Sequence, residues 1–573
     1  MRSLILSILF ILSSAISLFG QTNMFTHKQL TTEIFLGDYD PSEFVASEII
    51  DNPREIVENL NNEVSPDSLL SYLSHLQQFE TRNTGSDTIS DTRGIGAARR
   101  WIYQKLQEFS SIREDRLIVD YFEFDRTVCS MSKHKNVLAT LPGNNPEAGI
   151  IIIEAHMDSR CESTCDVDCL AQGMEDNASG TALVIELARI MSKYTFDKSI
   201  LFMLTTGEEQ GLVGADAMAK FMKQNDVNVK AVLNNDVIGG VICGRTSSPP
   251  SCPGFNHVDS TSVRVFSATV CKPLARYAKI QFDDELKNIL PVDMEIRLMA
   301  AEDRSGRGGD HIPFREQGYQ SIRFTSANEH GDAGINPNYT DRQHSTRDIL
   351  GVDTNSDSIL DSFFVDFNYL GRNTVINGML ATMISSSPIT PDFDISQNGF
   401  AIDVDIDDPN DYLHYKVGVR TNSQNLDTIY EFTDSKEFNF PITEDDFFVF
   451  VSVMSVDDNG IESCFSSEKR IIISSTSNPE IEQKNIQLNQ NIPNPFDEST
   501  TLSWYVNNPI QYNNAFIVVR SVDGRIVSKE EVVLTQGQHE WIFNHSGVNY
   551  GLYQYYIEVD GRIADVKTMV FAN

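Results

Sequence analysis

Residues 150–159 read IIIIEAHMDS. Four consecutive isoleucines predict a strand covered on both faces, the usual state of parallel strands in layered α/β sheets. The run ends in Glu154-Ala155-His156-Met157-Asp158. Positions two apart in extended chain point to the same side, so His156 and Asp158 share a face at the strand's carboxyl end. Open α/β sheets place their ligands there. In an Asp-rich chain with 11 histidines the pair alone decides little, because a solvated turn would read the same way.

The neighbouring sequence supports a layered domain. SLLSYLSHLQQF (68–79), GIGAARRWIYQKLQEF (94–109) and SGTALVIELARIMSKY (179–194) have helical periodicity. NVLATLPG (136–143), SILFMLTTGEE (199–209) and VKAVLNNDVIG (229–239) read as strands ending in turns. This alternation over 65–385 predicts an α/β domain with a mostly parallel sheet. Residues 21–64 are expected to form an acidic, helical lead-in. From about 386 to 475 short β-rich segments such as FAIDVDIDD, YLHYKVGVR and FFVFVSVMSVDDNGIES follow one another without helices, which predicts a β-sandwich. Residues 476–487 form a polar linker, and a second β domain spans 488–573.

The chain has 573 residues and a formal charge of −36. That charge argues against nucleic acid and anionic membrane as partners. The opening MRSLILSILFILSSAISLFGQ has one arginine, a short apolar run and a small-residue tail, and reads as a secretory signal peptide ending near residue 20. No later segment is long and apolar enough to span a bilayer, so a soluble exported protein is expected. Eight cysteines in such a chain favour disulfides. Cys161, Cys165 and Cys169 in CESTCDVDC fit no common metal-cluster spacing and predict a stapled loop that draws in Cys129. Cys243 and Cys252 flank RTSSPP and would close a small loop of their own.

Chemistry concentrates at the strand ends. Asp176 in GMEDNASG precedes a helix and could by itself be only a cap. Glu208 and Glu209 follow an apolar strand directly, where adjacent carboxylates repel unless a cation or a proton intervenes. Asp236 ends the strand of VLNNDVIGG, and His344 lies in NPNYTDRQHSTRDIL. Two histidines and three carboxylates so placed are a ligand set for a pair of divalent ions, zinc foremost. DVDIDDPND and DTNSDSILD are read as turn acids, the latter lacking the glycine and terminal glutamate of a calcium-binding EF-hand loop.

The order AHMDS, EDNASG, GEEQG, NND and HSTRD resembles the zinc aminopeptidases of metallopeptidase family twenty-eight. ARRWIYQKL and GGDHIPFREQGYQSIRF are further marks of the likeness. The resemblance implies a three-layer α/β/α mixed sheet of the zinc-dependent exopeptidase type, with two all-β sandwich domains after it. It implies two zinc ions per chain: His156 and Asp236 on one, Glu209 and His344 on the other, Asp176 bridging. Asp158 would orient His156, Glu208 would be the general base, and the Asp176–Asn177 peptide would be cis. The sequence departs from the family in reading Gly309-Asp310-His311 before the last histidine, so these residues are taken as supporting the site. It also lacks an obvious oxyanion-stabilising tyrosine, with Tyr339 and Arg307 as candidates.

Residues 386–475 resemble a fibronectin type III domain. IPNPF (492–496) and the closing GLYQYY (551–556) resemble the C-terminal sorting domain of type nine secretion cargo, which implies passage through an outer-membrane secretion machinery to the cell surface or beyond. The leading expectation is thus an exported two-zinc aminopeptidase acting on peptide or protein substrates. A carboxypeptidase or dipeptidase of the same fold is the first rival, with a single-zinc hydrolase and a glutaminyl cyclase behind it. A surface-binding protein with a decayed site is the rival from another class.

Overall fold

The computed structural model describes residues 22–243, 257–303, 308–328, 342–399, 401–410, 412–442, 448–473, 485–508, 512–521, 525–544, 550–560 and 562–572. The expected signal peptide, Cys252, Arg307 and Tyr339 lie outside them. The chain divides into two units: residues 1–390 with 456–467, and residues 391–455 with 468–573.

The first unit is built on a mixed nine-stranded sheet. In chain order its strands are β1 (Thr22–Thr26), β2 (Ile118–Val128), β3 (Met131–Leu141), β4 (Ile150–His156), β5 (Ser199–Thr205), β6 (Val229–Asn235), β7 (Ser262–Phe266), β8 (Glu295–Leu298) and β9 (Ser321–Ser326). Across the sheet they run β1-β2-β3-β5-β4-β6-β9-β7-β8. The middle four strands, β5, β4, β6 and β9, are mutually parallel, while β1, β2 and β3 pair antiparallel at one side. The isoleucine strand β4 is therefore central, and Ile150 to Ile153 are at most 1% exposed. His156 pairs with Thr205 in register, so the carboxyl ends of β4 and β5 finish level with one another.

Helices cover both faces. Helices α1 (Gln29–Leu36), α2 (Pro53–Glu63), α3 (Pro66–Leu76), α4 (Gly94–Ser111), α5 (Ser179–Met191), α6 (Val213–Gln224), α7 (Lys272–Gln281), α8 (His311–Glu316) and α9 (Phe367–Ser386) follow the sequence periodicity. On one face α5 and α9 pack on β4 and on each other, with α2 and α3 behind α9. On the other, Met218 and Met222 of α6 and Phe314 of α8 join Ile150, Ile152 and Val232 in one apolar cluster. Alternation then puts Glu154 and His156 on the α6 side of β4. The stretch expected as a helical lead-in holds α1 and α2 and also β1, which extends the sheet edge by pairing with β2.

The second unit is all β. Between 392 and 472 a three-stranded and a four-stranded sheet enclose Phe393, Val404, Tyr415, Val417, Phe440 and Val451. Between 486 and 571 the same pattern of three and four strands recurs around Trp504, Ile517, Tyr555 and Phe571. The inward apolar, outward polar alternation of these strands is what a two-sheet arrangement requires. Among the described residues no helix is long and apolar enough to cross a membrane.

Candidate metal centre

The carboxyl ends of the central parallel strands bring all five expected ligands together. His156 ends β4, Glu209 follows β5 and Asp236 follows β6, with Asp176 on the segment leading into α5 and His344 on a later loop. His156 Nε2 lies 3.2 Å from Asp176 Oδ1 and 3.4 Å from Asp236 Oδ1. His344 Nε2 lies 3.0 Å from Asp176 Oδ2 and 3.1 Å from Glu209 Oε2. Two triads result, His156–Asp176–Asp236 and Asp176–Glu209–His344, each with its ligand atoms within 4.8 Å of one another. Each oxygen of Asp176 serves one triad.

The local sequence makes Asp176 available for this. The Asp176–Asn177 peptide is cis. Asn177, not Asp176, serves the start of α5: its Oδ1 accepts the Gly180 N–H at 3.0 Å, and its Nδ2 donates to the Asn235 carbonyl at 2.8 Å. Asp348, the last residue of HSTRD, accepts the N–H groups of Glu175 and Asp176 at 2.8 and 3.0 Å. The loop carrying His344 thereby braces the loop carrying the shared carboxylate.

Asp158 works more through the backbone than expected. The ring of His156 is held at Nδ1 by the main-chain carbonyl of Asp158, 3.1 Å away, while the carboxylate is 3.6 Å off. That carboxylate accepts the Thr84 hydroxyl and the N–H groups of Glu208 and Glu209. It therefore fixes the turn on which both glutamates sit.

The site is crowded with buried acid. Loss of hydration holds Glu208 well above the usual carboxylate range; nearby His156 opposes this, and Asp236, Glu209 and Asp310 add to it. Burial works against a charged His156, yet the Glu208 and Asp236 carboxylates overcome it and hold the imidazole well above its ordinary value. Burial would raise Asp236 too, but the Arg323 guanidinium, 2.9 Å from its Oδ2, helps bring it to about 2. Glu209 Oε1 and both oxygens of Glu154 are buried without a hydrogen-bond partner. An excess of uncompensated carboxylate beside two imidazoles fits a divalent cation, and the nitrogen and oxygen donors suit zinc.

Of the supporting residues, Asp310 accepts the Thr205 hydroxyl at 2.5 Å, and His311 Nε2 contacts the Glu302 carbonyl at 3.0 Å. Neither belongs to a triad. Four residues of the site had drawn no comment from the sequence or none on this role: Arg82, Arg160, Arg323 and Asp348. Fully buried Arg82 donates to the carbonyls of Met157, Gln172 and Gly173, closing the base of the loop between them. Cys129–Cys165 and Cys161–Cys169 staple that loop as expected; Cys243 is also disulfide-bonded. Asp353 accepts N–H groups of Asn355, Ser356 and Ser358, the behaviour of a turn acid.

The chain is similar to several known proteins. Residues 136–361 match the family model described as Peptidase family M28. The chain is 29% identical over 354 residues to a probable zinc metalloprotease of Leptosphaeria maculans, covering 59% of this chain and 78% of that protein. It is 31% identical over 344 residues to a probable zinc metalloprotease of Pyricularia oryzae, covering 57% of this chain and 65% of that one. Among solved structures, the LapA aminopeptidase of Legionella pneumophila aligns with a TM-score of 0.43 and 17% identity, over 60% of this chain and 78% of that one. The chain is M28 zinc metalloprotease-like, and that likeness implies zinc.

Proposed function

We propose that the chain is an exported two-zinc exopeptidase that removes N-terminal residues from peptides. The observation carrying this reading is the shared Asp176 carboxylate, with one oxygen toward each of two histidine-containing triads. His156, Asp176 and Asp236 would hold one zinc, and Asp176, Glu209 and His344 the other. Zinc at such a site supplies Lewis acidity toward the scissile carbonyl and toward water.

The protein's own groups do the rest. Glu208 neighbours a ligand without belonging to either triad, so its carboxylate is left to accept a proton and give it back. It takes the proton of the attacking water and returns it to the departing amine. Asp158 sets the direction of Glu208 and Glu209 through their N–H groups. Arg323 keeps Asp236 ionised and facing His156.

Export is supported by the N-terminal sequence and by the disulfides, which persist in oxidising compartments. The resemblance of 386–475 to a fibronectin type III module and of 488–573 to a type nine sorting domain supports delivery through an outer-membrane secretion machinery. The test is hydrolysis of aminoacyl-arylamides against N-blocked peptides of the same residues by the zinc-loaded chain. Cleavage of the free-amine series alone is expected. Turnover confined to N-blocked peptides would replace the aminopeptidase reading with a carboxypeptidase one.

A further inference from the structure

The two histidines of the centre have opposite outer partners. His156 Nδ1 faces an acceptor, the Asp158 carbonyl at 3.1 Å. His344 Nδ1 faces a donor, Nη2 of Arg160 at 2.7 Å. Arg160 stands at the start of the stapled loop with its side chain 16% exposed. Its Nε donates to Glu209 Oε2 at 2.7 Å, and its Nη1 donates to the carbonyls of Cys161 and Glu162 at 3.2 and 3.1 Å. The Glu209 oxygen it engages is the one that lies 3.1 Å from His344 Nε2.

An imidazole that offers the Nε2 lone pair to a cation carries its hydrogen on Nδ1 and needs an acceptor there. His156 has that acceptor. His344 has a guanidinium, which offers donors only and keeps its charge. Arg160 also occupies the oxygen of Glu209 that turns toward the triad, and it leaves a fixed positive charge beside the place of a second one. Arg323 differs in its contacts: it takes Asp236 through Oδ2, leaving Oδ1 to His156, and the Nδ1 of His156 is left to the Asp158 carbonyl. Arg160 is not free to swing away cheaply. Its two backbone anchors lie in a loop cross-linked by Cys161–Cys169 and Cys129–Cys165.

We propose that Arg160 is a positioning residue that makes the Asp176–Glu209–His344 triad the weaker of the two cation positions. The proposal rests on the two-zinc reading. Its test is competition between the disulfide-intact chain and a chromophoric chelator for zinc. The wild type is expected to show two separated affinities. Arg160→Met should strengthen the weaker one by about tenfold to a hundredfold, the usual reach of groups behind metal ligands, and leave the tighter one unchanged. A purely structural role for Arg160 would not strengthen either. An unshifted or weakened second affinity overturns the proposal while leaving the two-zinc reading in place. A wild type that binds fewer than two zinc ions overturns that reading, and this proposal with it. Should Arg160→Met lose both affinities, Arg160→Gln decides: it keeps a polar side chain there without the charge, and its amide oxygen can accept the His344 Nδ1 hydrogen, so strengthening is again expected, and an unshifted affinity overturns the proposal.

Discussion

His156 and His344 meet opposite oxygens of one carboxylate, at 3.2 Å and 3.0 Å from Asp176 Oδ1 and Oδ2. They come from distant parts of the chain, one from the end of the central strand and one from a loop nearly two hundred residues later. The relationship turns a set of separately weak sequence signals into one site. It also orders the consequences of disturbing that site, because a group in a triad, a group beside it and a group behind it should fail differently.

Glu208 neighbours the triads without supplying a ligand. Glu208→Gln should therefore lower kcat by about 10²–10⁴-fold, the usual worth of a positioned general base, with zinc content unchanged. Metal analysis and steady-state kinetics on the same preparations check this. Loss of zinc along with activity would reassign Glu208 as a ligand.

Arg323 and Asp236 are 1% and 4% exposed at their side chains and 2.9 Å apart. Removing one partner strands the other charge, so Arg323→Met should destabilise the metal-free protein by about 3–5 kcal/mol. Urea unfolding in the presence of chelator measures it. A shift near zero would mean that other groups already compensate Asp236.

Burial pushes the Asp310 carboxyl up to about 7 from an ordinary 3.8, with neighbouring acids adding to it and His156 and the Thr205 hydroxyl opposing. The folded state then holds its proton more tightly than the unfolded chain. The resulting stability is complete below about pH 4 and is lost as pH rises toward 7. Asparagine cannot ionise, so metal-free Asp310→Asn should gain stability relative to wild type across that window. Denaturation at pH 4, 5.5 and 7 checks the sign, and a constant difference would contradict it.

The two disulfides close loops of very different length, with sequence separations of 36 for Cys129–Cys165 and 8 for Cys161–Cys169. On chain-entropy grounds the double Cys→Ser replacement at 129 and 165 should cost about 4 kcal/mol, and that at 161 and 169 about 2.5 kcal/mol. Thermal unfolding of the two double variants checks the order. A larger loss from the short loop would show that it is the native contacts around Arg160, not the loop entropy, that dominate.

Much of this was legible in the sequence, for a physical reason. A strand buried on both faces must be apolar throughout, so IIIIEAH and SILFMLT announced β4 and β5, and polar residues at their ends stood out by contrast. The edge strands were harder to read. TNMFT of β1 has an exposed, mixed pattern, with only Met24 and Thr26 half-buried, and nothing local distinguishes it from a loop. Ligand residues could be found because imidazole and carboxylate at strand ends are chemically conspicuous. The residues behind them could not. Arg82, Arg160 and Arg323 act on carbonyls and side chains brought near only by the fold, and an arginine in a chain of 81 acidic residues carries no local mark of its partner. Asp348 was in view as the end of HSTRD, but its partners, the N–H groups of Glu175 and Asp176, lie more than 170 residues away.

The most direct test of the account is the zinc content of the zinc-loaded chain, freed of excess zinc by a single rapid desalting step, by mass spectrometry of the metal against protein concentration. Two zinc ions per chain, falling together when Asp176 is replaced by alanine, is the predicted result. One ion per chain, or two that survive Asp176→Ala, would contradict a pair of positions joined by a single carboxylate.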